Sequence, residues 1–119
     1  MKILVVDDSP VMRKLVIRAL RQAGYGDADV SEAGDGVEAL AAVEADMPSV
    51  VLSDWNMPNM SGLELVTSLR AKGIDVPFGF VTSESKAELV AEATGAGASF
   101  LLSKPFTADD LSAALSGVS

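Results

Sequence analysis

Side chains able to do phosphate or cation chemistry follow short apolar segments at four places in the sequence. They are Asp7, Asp8, Asp54, Thr82, Ser83 and Lys104. One aspartate after an apolar segment is an ordinary turn or cap residue, and a lone lysine there is an ordinary solvated charge. A functional interpretation therefore depends on whether the fold brings these side chains to one place.

Three carboxylates at one place would repel each other and raise each other's pKa unless a cation lay between them. Mg²⁺ suits such a site, because it takes one or two carboxylates together with water and phosphate oxygens. The chain contains no histidine and no cysteine, which disfavours zinc. A carboxylate beside Mg²⁺ is also a candidate nucleophile toward phosphorus, and the product would be an aspartyl phosphate.

The candidate residues have different expected roles in that chemistry. Asp54 is the best candidate nucleophile, because the segment before it is predicted to be the central strand. Asp7 and Asp8 are adjacent and form a natural metal-binding pair. Lys104 would supply a second cation, and the Thr82 hydroxyl would donate a hydrogen bond to a phosphoryl oxygen.

The elements that must position these residues are predicted from hydrophobic periodicity. Near-continuous apolar runs are typical of strands buried on both faces, and they occur at Ile3–Val6, Val50–Leu52, Phe78–Val81 and Phe100–Leu102, with a weaker run around Val30. Apolar residues at helical spacing lie between and after these runs. The five predicted helices contain Val11–Leu20, Val37–Ala41, Leu63–Leu69, Leu89–Ala93 and Leu111–Val118.

Five strand–helix units predict an α/β protein with a flavodoxin-like (βα)5 three-layer sandwich. The parallel five-stranded sheet is expected in the order 2-1-3-4-5, with helices on both faces. Ligands of such sheets bind outside the carboxyl ends of the strands, where the strand order reverses between the first and third strands. All the candidate residues follow strands, so the topology predicts that they meet. Residues 1–119 are expected to form a single domain.

Composition narrows the choice of partners and location. The net charge is −8, from seventeen acids against nine bases, and no Lys/Arg cluster offers the basic stripe that a nucleic acid needs. The apolar segment at the amino terminus is too short for the hydrophobic region of a signal peptide. No apolar run in the sequence approaches membrane-spanning length. We therefore expect a cytoplasmic protein that contacts neither nucleic acid nor membrane. Without histidine, the chain cannot supply its own phosphohistidine.

Two other classes of protein use similar elements. An aspartate-dependent phosphatase or phosphotransferase of the haloacid-dehalogenase type has Asp-x-Asp after its first strand and usually a cap domain, whereas here the acids are adjacent and followed by Ser9-Pro10. A flavodoxin-like cofactor binder needs a phosphate loop rich in Ser, Thr or Gly after the first strand. The glycines of Gly95-Ala96-Gly97 precede a predicted strand and are interpreted as a helix end.

Four segments give the sequence a family resemblance. They are VVDDS, LSDWNMPNMSGLELV, FVTSES and LSKPFTADDL, in this order and spacing. Together they resemble the receiver domains of two-component response regulators, above all the single-domain chemotaxis regulators, and the resemblance covers the chain from Lys2 to about Ser116.

The resemblance implies a phosphoacceptor and a set of Mg²⁺ ligands. Asp54 would be the phosphoacceptor. Asp8 and Asp54 would bind Mg²⁺ directly, Asp7 would bind it through water, and the backbone carbonyl of Asn56 would complete the protein ligands. Lys104 would contact the phosphoryl group.

The resemblance also implies residues that set the lifetime and the output of the phosphorylated state. Asn56 and Glu84 match positions that tune how long the aspartyl phosphate survives. The switch would join Thr82 to Phe100, which is taken to stand where chemotaxis members usually carry a tyrosine. The Thr82 hydroxyl would move toward the phosphate, and the aromatic ring would enter the vacated space.

The function implied is that of a stand-alone response regulator. A histidine kinase would transfer its phosphoryl group to Asp54, and the face formed by the fourth helix, fifth strand and fifth helix would then control binding of a protein partner, in chemotaxis the flagellar motor switch. A phosphatase is a further implied partner. The chain would catalyse its own phosphorylation and autodephosphorylation without being a turnover enzyme, as a monomer or as a dimer on phosphorylation. The open alternative is a receiver excised from, or acting within, another phosphorelay, as a phosphate sink or kinase-network regulator.

Overall fold

Five strands and five α-helices alternate in the computed structural model, which describes residues 1–83 and 87–117. The strands are β1 (Lys2–Val6), β2 (Asp29–Ala33), β3 (Val50–Ser53), β4 (Phe78–Thr82) and β5 (Phe100–Ser103). The helices are α1 (Pro10–Leu20), α2 (Gly36–Ala45), α3 (Gly62–Ala71), α4 (Ala87–Gly95) and α5 (Ala108–Ser116). Within the described ranges, no helix has the length and apolar character that crossing a membrane requires.

The sheet confirms the predicted topology. All four strand pairings are parallel, and the strand order is β2-β1-β3-β4-β5. The order reverses between β1 and β3, which are paired along Ile3–Val6 and Val50–Ser53. The ends of these two strands therefore lie side by side at the point where ligands of this fold class bind.

Two hydrophobic clusters cover the two faces of the sheet, which explains the continuous apolar runs. Leu4, Val6, Val51, Phe78 and Phe80 pack toward α2, α3 and α4. The alternate strand residues Ile3, Val5, Val50, Leu52 and Val81 pack toward α1 and α5. Because successive side chains of a strand point to opposite faces, both sets must be apolar when helices cover both faces.

Side-chain caps start the helices where the sequence changes from loop to helix. Ser9 precedes α1, and its hydroxyl accepts a hydrogen bond from the amide of Met12 at 3.3 Å. Ser61 before α3 and Thr107 before α5 each form a capping box with the acid three residues later. Such caps satisfy amides that have no partner within the helix. A π-helical turn, Arg21–Tyr25, continues α1 and contains Gly24 at a φ of 99°.

Gly79 of β4 gives space to the side chain of Phe100 on the neighbouring strand. The two residues are paired across β4 and β5, and a Cβ added at Gly79 would lie 2.0 Å from the tip of the Phe100 ring. The Phe100 ring therefore occupies the space beside the glycine, on the side of the sheet that faces α1 and α5.

Gly79→Ala is expected to reduce the free energy of unfolding by about 2 kcal/mol, because the Phe100 ring must leave its place over the strand. Phe100→Ala removes the ring, so the double variant should lose less than the sum of the two single variants, as measured by urea unfolding. Gly95→Ala is the matched control, since its added Cβ would meet no described atom within 4 Å outside its chain neighbours and the backbone of its own helix. Costs that simply added in the double variant would contradict this packing.

Candidate functional site

The carboxyl ends of β1 and β3 bring three aspartates together, as predicted. Asp7 and Asp8 follow β1, Asp54 follows β3, and one carboxylate oxygen from each lies within 4.8 Å of the others. Asp7 is buried, Asp54 is partly buried and Asp8 is exposed. The cluster therefore opens to solvent on the side of Asp8.

Asp7 is buried, and each of its two carboxylate oxygens has a polar partner. One carboxylate oxygen accepts a hydrogen bond from the amide of Ser9 at 2.9 Å, and the other lies 3.3 Å from the ammonium nitrogen of Lys104. The guanidinium of Arg13 donates to the Asp7 carbonyl at 2.6 Å and to Glu32 at 2.9 Å. These contacts hold the turn after β1 in place. Those to the carboxylate also offset the cost of burying the Asp7 charge.

Asp54 has one oxygen engaged and one directed toward Lys104. Its Oδ1 accepts a hydrogen bond from the amide of Trp55 at 2.7 Å. Its Oδ2 lies 3.9 Å from the Lys104 ammonium nitrogen, and accepts no hydrogen bond from the described residues. Oδ2 is therefore the oxygen with lone pairs available for another partner.

The pKa of Asp54 is raised above its ordinary value of 3.8, chiefly because burial disfavours the charged form. The Trp55 amide and the Lys104 charge act in the opposite direction, while the charges of Asp7 and Asp8 raise the pKa further. Repulsion among the three acids therefore persists beside the lysine, and a bound cation would relieve it.

Asp54→Asn is expected to stabilise the protein at pH 7 in a metal-free buffer containing a chelator. As pH rises, the unfolded chain loses the Asp54 proton near 3.8 and the native state loses it later. Between these two pKa values, the free energy of unfolding therefore decreases as pH rises, because of Asp54. Asparagine does not ionise, so the advantage of the variant should vanish as pH falls below 3.8.

The measurement is urea unfolding of both proteins across this pH range. Asp75→Asn is the control, because Asp75 is exposed and lies before β4, at the opposite end of that strand from its Thr82 end. A variant less stable than the wild type at pH 7 would contradict a destabilising charge at Asp54.

Lys104 and Thr82 reach the same edge from β5 and β4. The Lys104 amide donates to the Thr82 carbonyl at 2.7 Å, so the ends of the two strands are tied together. The Thr82 side chain is buried and the adjacent Ser83 is exposed. The Lys104–Pro105 peptide bond is cis.

Phe100 is not brought to Thr82. Its ring packs with the cluster facing α1 and α5, whereas Phe80, two residues before Thr82, packs with the cluster facing α2 to α4. Since side chains alternate along a strand, Thr82 and Phe100 point to opposite faces of the sheet. The expected movement of the Phe100 ring into space vacated by Thr82 therefore has to be corrected. The β5 residues on the Thr82 side are Leu101, which packs with the cluster facing α2 to α4, and Ser103, which is paired with Thr82.

Of the two residues expected to tune the phosphate lifetime, Asn56 lies within the described part of the chain and Glu84 does not. Asn56 is exposed, two positions after Asp54, in the loop between β3 and α3. The backbone carbonyl of Asn56 therefore lies in the loop that follows Asp54, where a Mg²⁺ ligand is expected. Glu84 lies outside the described residues.

Polar residues that the sequence did not single out also support the site. Arg13 is the contact of Asp7 described above, and Asp35 and Asn59 bond across two loops at 2.7 Å. The glycine at position 62 was an indirect signal in the sequence that two segments approach closely. A Cβ at Gly62 would lie 2.2 Å from the Asp54 carbonyl oxygen, so α3 begins in close contact with the backbone at the end of β3.

The donor atoms around the cluster fit Mg²⁺. They are oxygens of Asp7, Asp8 and Asp54, and hard oxygen donors are what Mg²⁺ prefers. One side of the cluster is open through the exposed Asp8, which leaves room for the water and phosphate ligands that Mg²⁺ retains.

Fold and site together define a doubly wound α/β domain with an acidic cluster and a lysine at the switch point. The chain belongs to the response regulator receiver domain family, whose description matches residues 3–116. Members of this family bind Mg²⁺ and act as signalling proteins. The match favours this class over the phosphatase and the flavodoxin-like cofactor binder.

Chemotaxis proteins are among the relatives. The chain is 40% identical over 113 residues to chemotaxis protein CheY-3 of Vibrio cholerae, covering 93% of this chain and 85% of the relative. It is 42% identical over 110 residues to chemotaxis protein CheY1 of Helicobacter pylori, covering 90% and 87%. The crystal structure of Vibrio cholerae chemotaxis protein CheY4 superposes with a TM-score of 0.87 at 38% identity, covering 99% of this chain and 98% of the other.

Proposed function

We propose that this chain is a stand-alone response regulator that accepts a phosphoryl group on Asp54 from a histidine kinase. The observation that carries the proposal is the position of Asp54 at the switch point. Its carboxylate lies within 4.8 Å of the Asp7 and Asp8 oxygens and 3.9 Å from the Lys104 ammonium nitrogen. A nucleophile, a cation site and a fixed positive charge are thereby combined.

In the proposed transfer, Asp54 Oδ2 attacks phosphorus and the P–N bond of a phosphohistidine breaks. The imidazole leaves with the electron pair and takes up a proton. Lys104 stabilises negative charge on the phosphoryl oxygens, and Thr82 donates its hydroxyl to one of them. Asp8, Asp54 and the Asn56 carbonyl would hold Mg²⁺, with Asp7 acting through water, and the ion would supply further charge stabilisation when bound. Water later attacks phosphorus and releases inorganic phosphate, which regenerates the carboxylate.

The phosphohistidine of the proposed transfer must lie outside this chain, because the chain contains no histidine. A mostly apolar groove of about 520 Å³ lies between α1 and the segment after β5, beside Lys104. It is lined by residues including Met12, Leu15, Pro105 and Phe106. Its position next to the acceptor supports docking of the donor protein there.

The output is proposed to be a change of the face formed by α4, β5 and α5. Thr82 would move toward the phosphate, and the β5 side chain proposed to respond is Leu101, which lies on the Thr82 side of the sheet and packs with the hydrophobic cluster there. A charge added at Asp54 would thus be converted into a packing change. Asn56 and Glu84 are proposed to set how long the phosphorylated state lasts.

The relatives make chemotaxis the leading pathway for this proposal. The matched proteins of Vibrio cholerae and Helicobacter pylori carry the name chemotaxis protein, which supports a flagellar motor switch as the effector and a phosphatase as a further partner. The proposal includes a single domain over residues 1–119, a cytoplasmic location, and a monomer that can dimerise on phosphorylation. The alternative is a phosphate sink or kinase-network regulator in another phosphorelay.

Phosphoramidate tests the transfer chemistry, because its P–N bond resembles that of phosphohistidine. With phosphoramidate and Mg²⁺, intact-mass analysis should show one phosphoryl adduct per chain, and a chelator should prevent it. No adduct at millimolar Mg²⁺ would contradict the proposed function. Genomic neighbours that encode chemotaxis receptors would favour the motor pathway over the phosphate sink.

A further inference from the structure

The loop that follows Asp54, residues 55–61, is tethered to the start of α2. The Asn59 side-chain amide donates to Asp35 Oδ2 at 2.7 Å, and the Gly36 amide donates to the Met60 carbonyl at 3.2 Å. On the α2 side of the tether, Asp35 is only 8% exposed. Gly36 allows the close approach, since a Cβ there would lie 2.6 Å from the Met60 oxygen.

The tethered residue has an unusual backbone conformation. Among the described residues other than glycine, Asn59 alone has a positive φ, at 66°. Side-chain crowding disfavours this region for L-residues, and asparagine tolerates it better than most. A loop containing such a residue needs contacts that select this conformation over the extended alternatives. The bond to Asp35 is such a contact.

Asp35 uses its two oxygens for two different elements. Oδ1 accepts the Glu38 amide at 2.8 Å and caps α2, while Oδ2 accepts the Asn59 amide. The pKa of Asp35 is lowered, first by the bond from Glu38 and then by the bond from Asn59. The carboxylate is therefore ionised at neutral pH, and charge-assisted hydrogen bonds of this kind are stronger than neutral ones.

The other end of the loop is fixed beside the acid cluster. The Gly62 amide donates to the Trp55 carbonyl at 2.8 Å, and α3 starts against the Asp54 backbone. The loop is thus held at its base by Gly62 and at its tip by Asp35. Asn56 lies between these two points, and the place of its carbonyl relative to Asp54 depends on both.

We propose that Asp35 is a positioning residue for the cation site: by holding Asn59, it sets the conformation of residues 55–61 and so the direction of the Asn56 carbonyl. This inference rests on the proposed function, in which that carbonyl is a Mg²⁺ ligand. Asp35 is not among the residues that would hold the cation, which are Asp7, Asp8 and Asp54 with the Asn56 carbonyl. Its effect is transmitted through the loop backbone, in the way that outer residues orient metal ligands.

Two variants cut the tether from opposite sides. Asn59→Gly removes the amide but keeps a residue that accepts a positive φ. Asp35→Ser keeps a good helix cap but is too short to reach Asn59. Each should lower Mg²⁺ affinity by about tenfold, measured by calorimetry or by Trp55 fluorescence. The double variant should bind no more weakly than either single variant, because both remove one interaction.

Ile3→Val is the matched control for a general loss of stability. Ile3 is buried near the amino-terminal end of β1, away from the acid cluster, so this variant should unfold more easily yet bind Mg²⁺ with unchanged affinity. An equal loss of affinity in Ile3→Val, or additive losses in the double variant, would overturn the positioning role.

A second readout needs no metal. In the metal-free protein, the Gly36 and Gly62 amides should exchange their hydrogens faster in the tether variants than in the wild type or Ile3→Val. Unchanged exchange would overturn the inference. Equal Mg²⁺ affinity in wild type and tether variants would also overturn it while leaving the proposed function standing. A wild type that binds no Mg²⁺ would remove the proposed function and the inference with it.

Discussion

Asp54→Asn will carry no phosphoryl group after incubation with phosphoramidate and Mg²⁺, whereas the wild-type chain will carry one. The amide retains the shape of the side chain but has no anionic oxygen with which to attack phosphorus. The loss should therefore be complete within the sensitivity of intact-mass analysis. It should also occur without unfolding, because burial already disfavours the charge that the substitution removes.

The other two acids are poorer nucleophiles for structural reasons. Both oxygens of Asp7 are engaged, one by the Ser9 amide and one by Lys104, and the residue is buried. Asp8 is exposed and is proposed as a metal ligand. Asp54 Oδ2 combines partial burial with a nearby ammonium group and no hydrogen bond from the described residues.

Asp8→Asn is the control that separates the nucleophile from the cation site. It should slow phosphorylation by about a hundredfold through weaker Mg²⁺ binding, while the adduct still forms on Asp54. Peptide mapping after longer incubation would locate the adduct. An adduct that persisted in Asp54→Asn would place the nucleophile on another residue and contradict the proposed function.

The strand order and the acid cluster could be predicted because each leaves a strong local signal. Strands covered on both faces are apolar at every position, and β1, β3 and β4 show such runs in the sequence. Once five parallel strands are assigned, the topology places the residues after them at one edge. No knowledge of side-chain contacts is needed to bring Asp54 to Asp7 and Asp8.

The face on which Phe100 lies could not be read from the same kind of pattern. In β5 the residues Phe100, Leu101 and Leu102 are all apolar, so no alternation indicates which of them points toward α4. The pairing of Phe100 with Gly79 decides it, because the missing side chain makes a place for the ring. A glycine in a buried strand was the available signal, and its partner is set only by the register.

Side-chain contacts between residues far apart in the sequence were also beyond sequence reasoning. Asp35 and Asn59 are 24 positions apart and Arg13 and Glu32 are 19 apart. Neither pair belongs to a periodic pattern, and each residue alone resembles an ordinary surface group. Only the fold brings the partners together: Asp35 and Asn59 lie in two loops, whereas Arg13 of α1 meets Glu32 of β2.

Lys104→Met is expected to change metal-free stability and Mg²⁺ affinity in opposite directions. The ammonium group lies 3.3 Å from Asp7 and 3.9 Å from Asp54, and the lysine side chain is only 15% exposed. Removing it leaves the buried Asp7 carboxylate without its ion partner, which should lower the metal-free free energy of unfolding by about 3 kcal/mol. Methionine keeps the apolar stem, so packing beside Pro105 is retained.

The same lysine charge opposes a second cation in the acid cluster. Without the lysine charge, Mg²⁺ should bind about tenfold more tightly, because the ammonium group no longer repels the cation or partly neutralises the carboxylates. Saturating Mg²⁺ should then restore part of the lost stability, because a ligand that binds only the folded state stabilises it. Calorimetry for affinity and urea unfolding with and without Mg²⁺ measure the two effects.

Lys72→Met is the matched control, because Lys72 forms an exposed ion pair with Glu44 at 3.5 Å. Exposed pairs contribute between about 0 and 1 kcal/mol, so neither quantity should change much. Weaker Mg²⁺ binding in Lys104→Met would show that the lysine organises the cation site. Tighter binding would show that it occupies part of the cation's place in the metal-free protein, and that Mg²⁺ and the lysine divide the neutralisation of three acids between them.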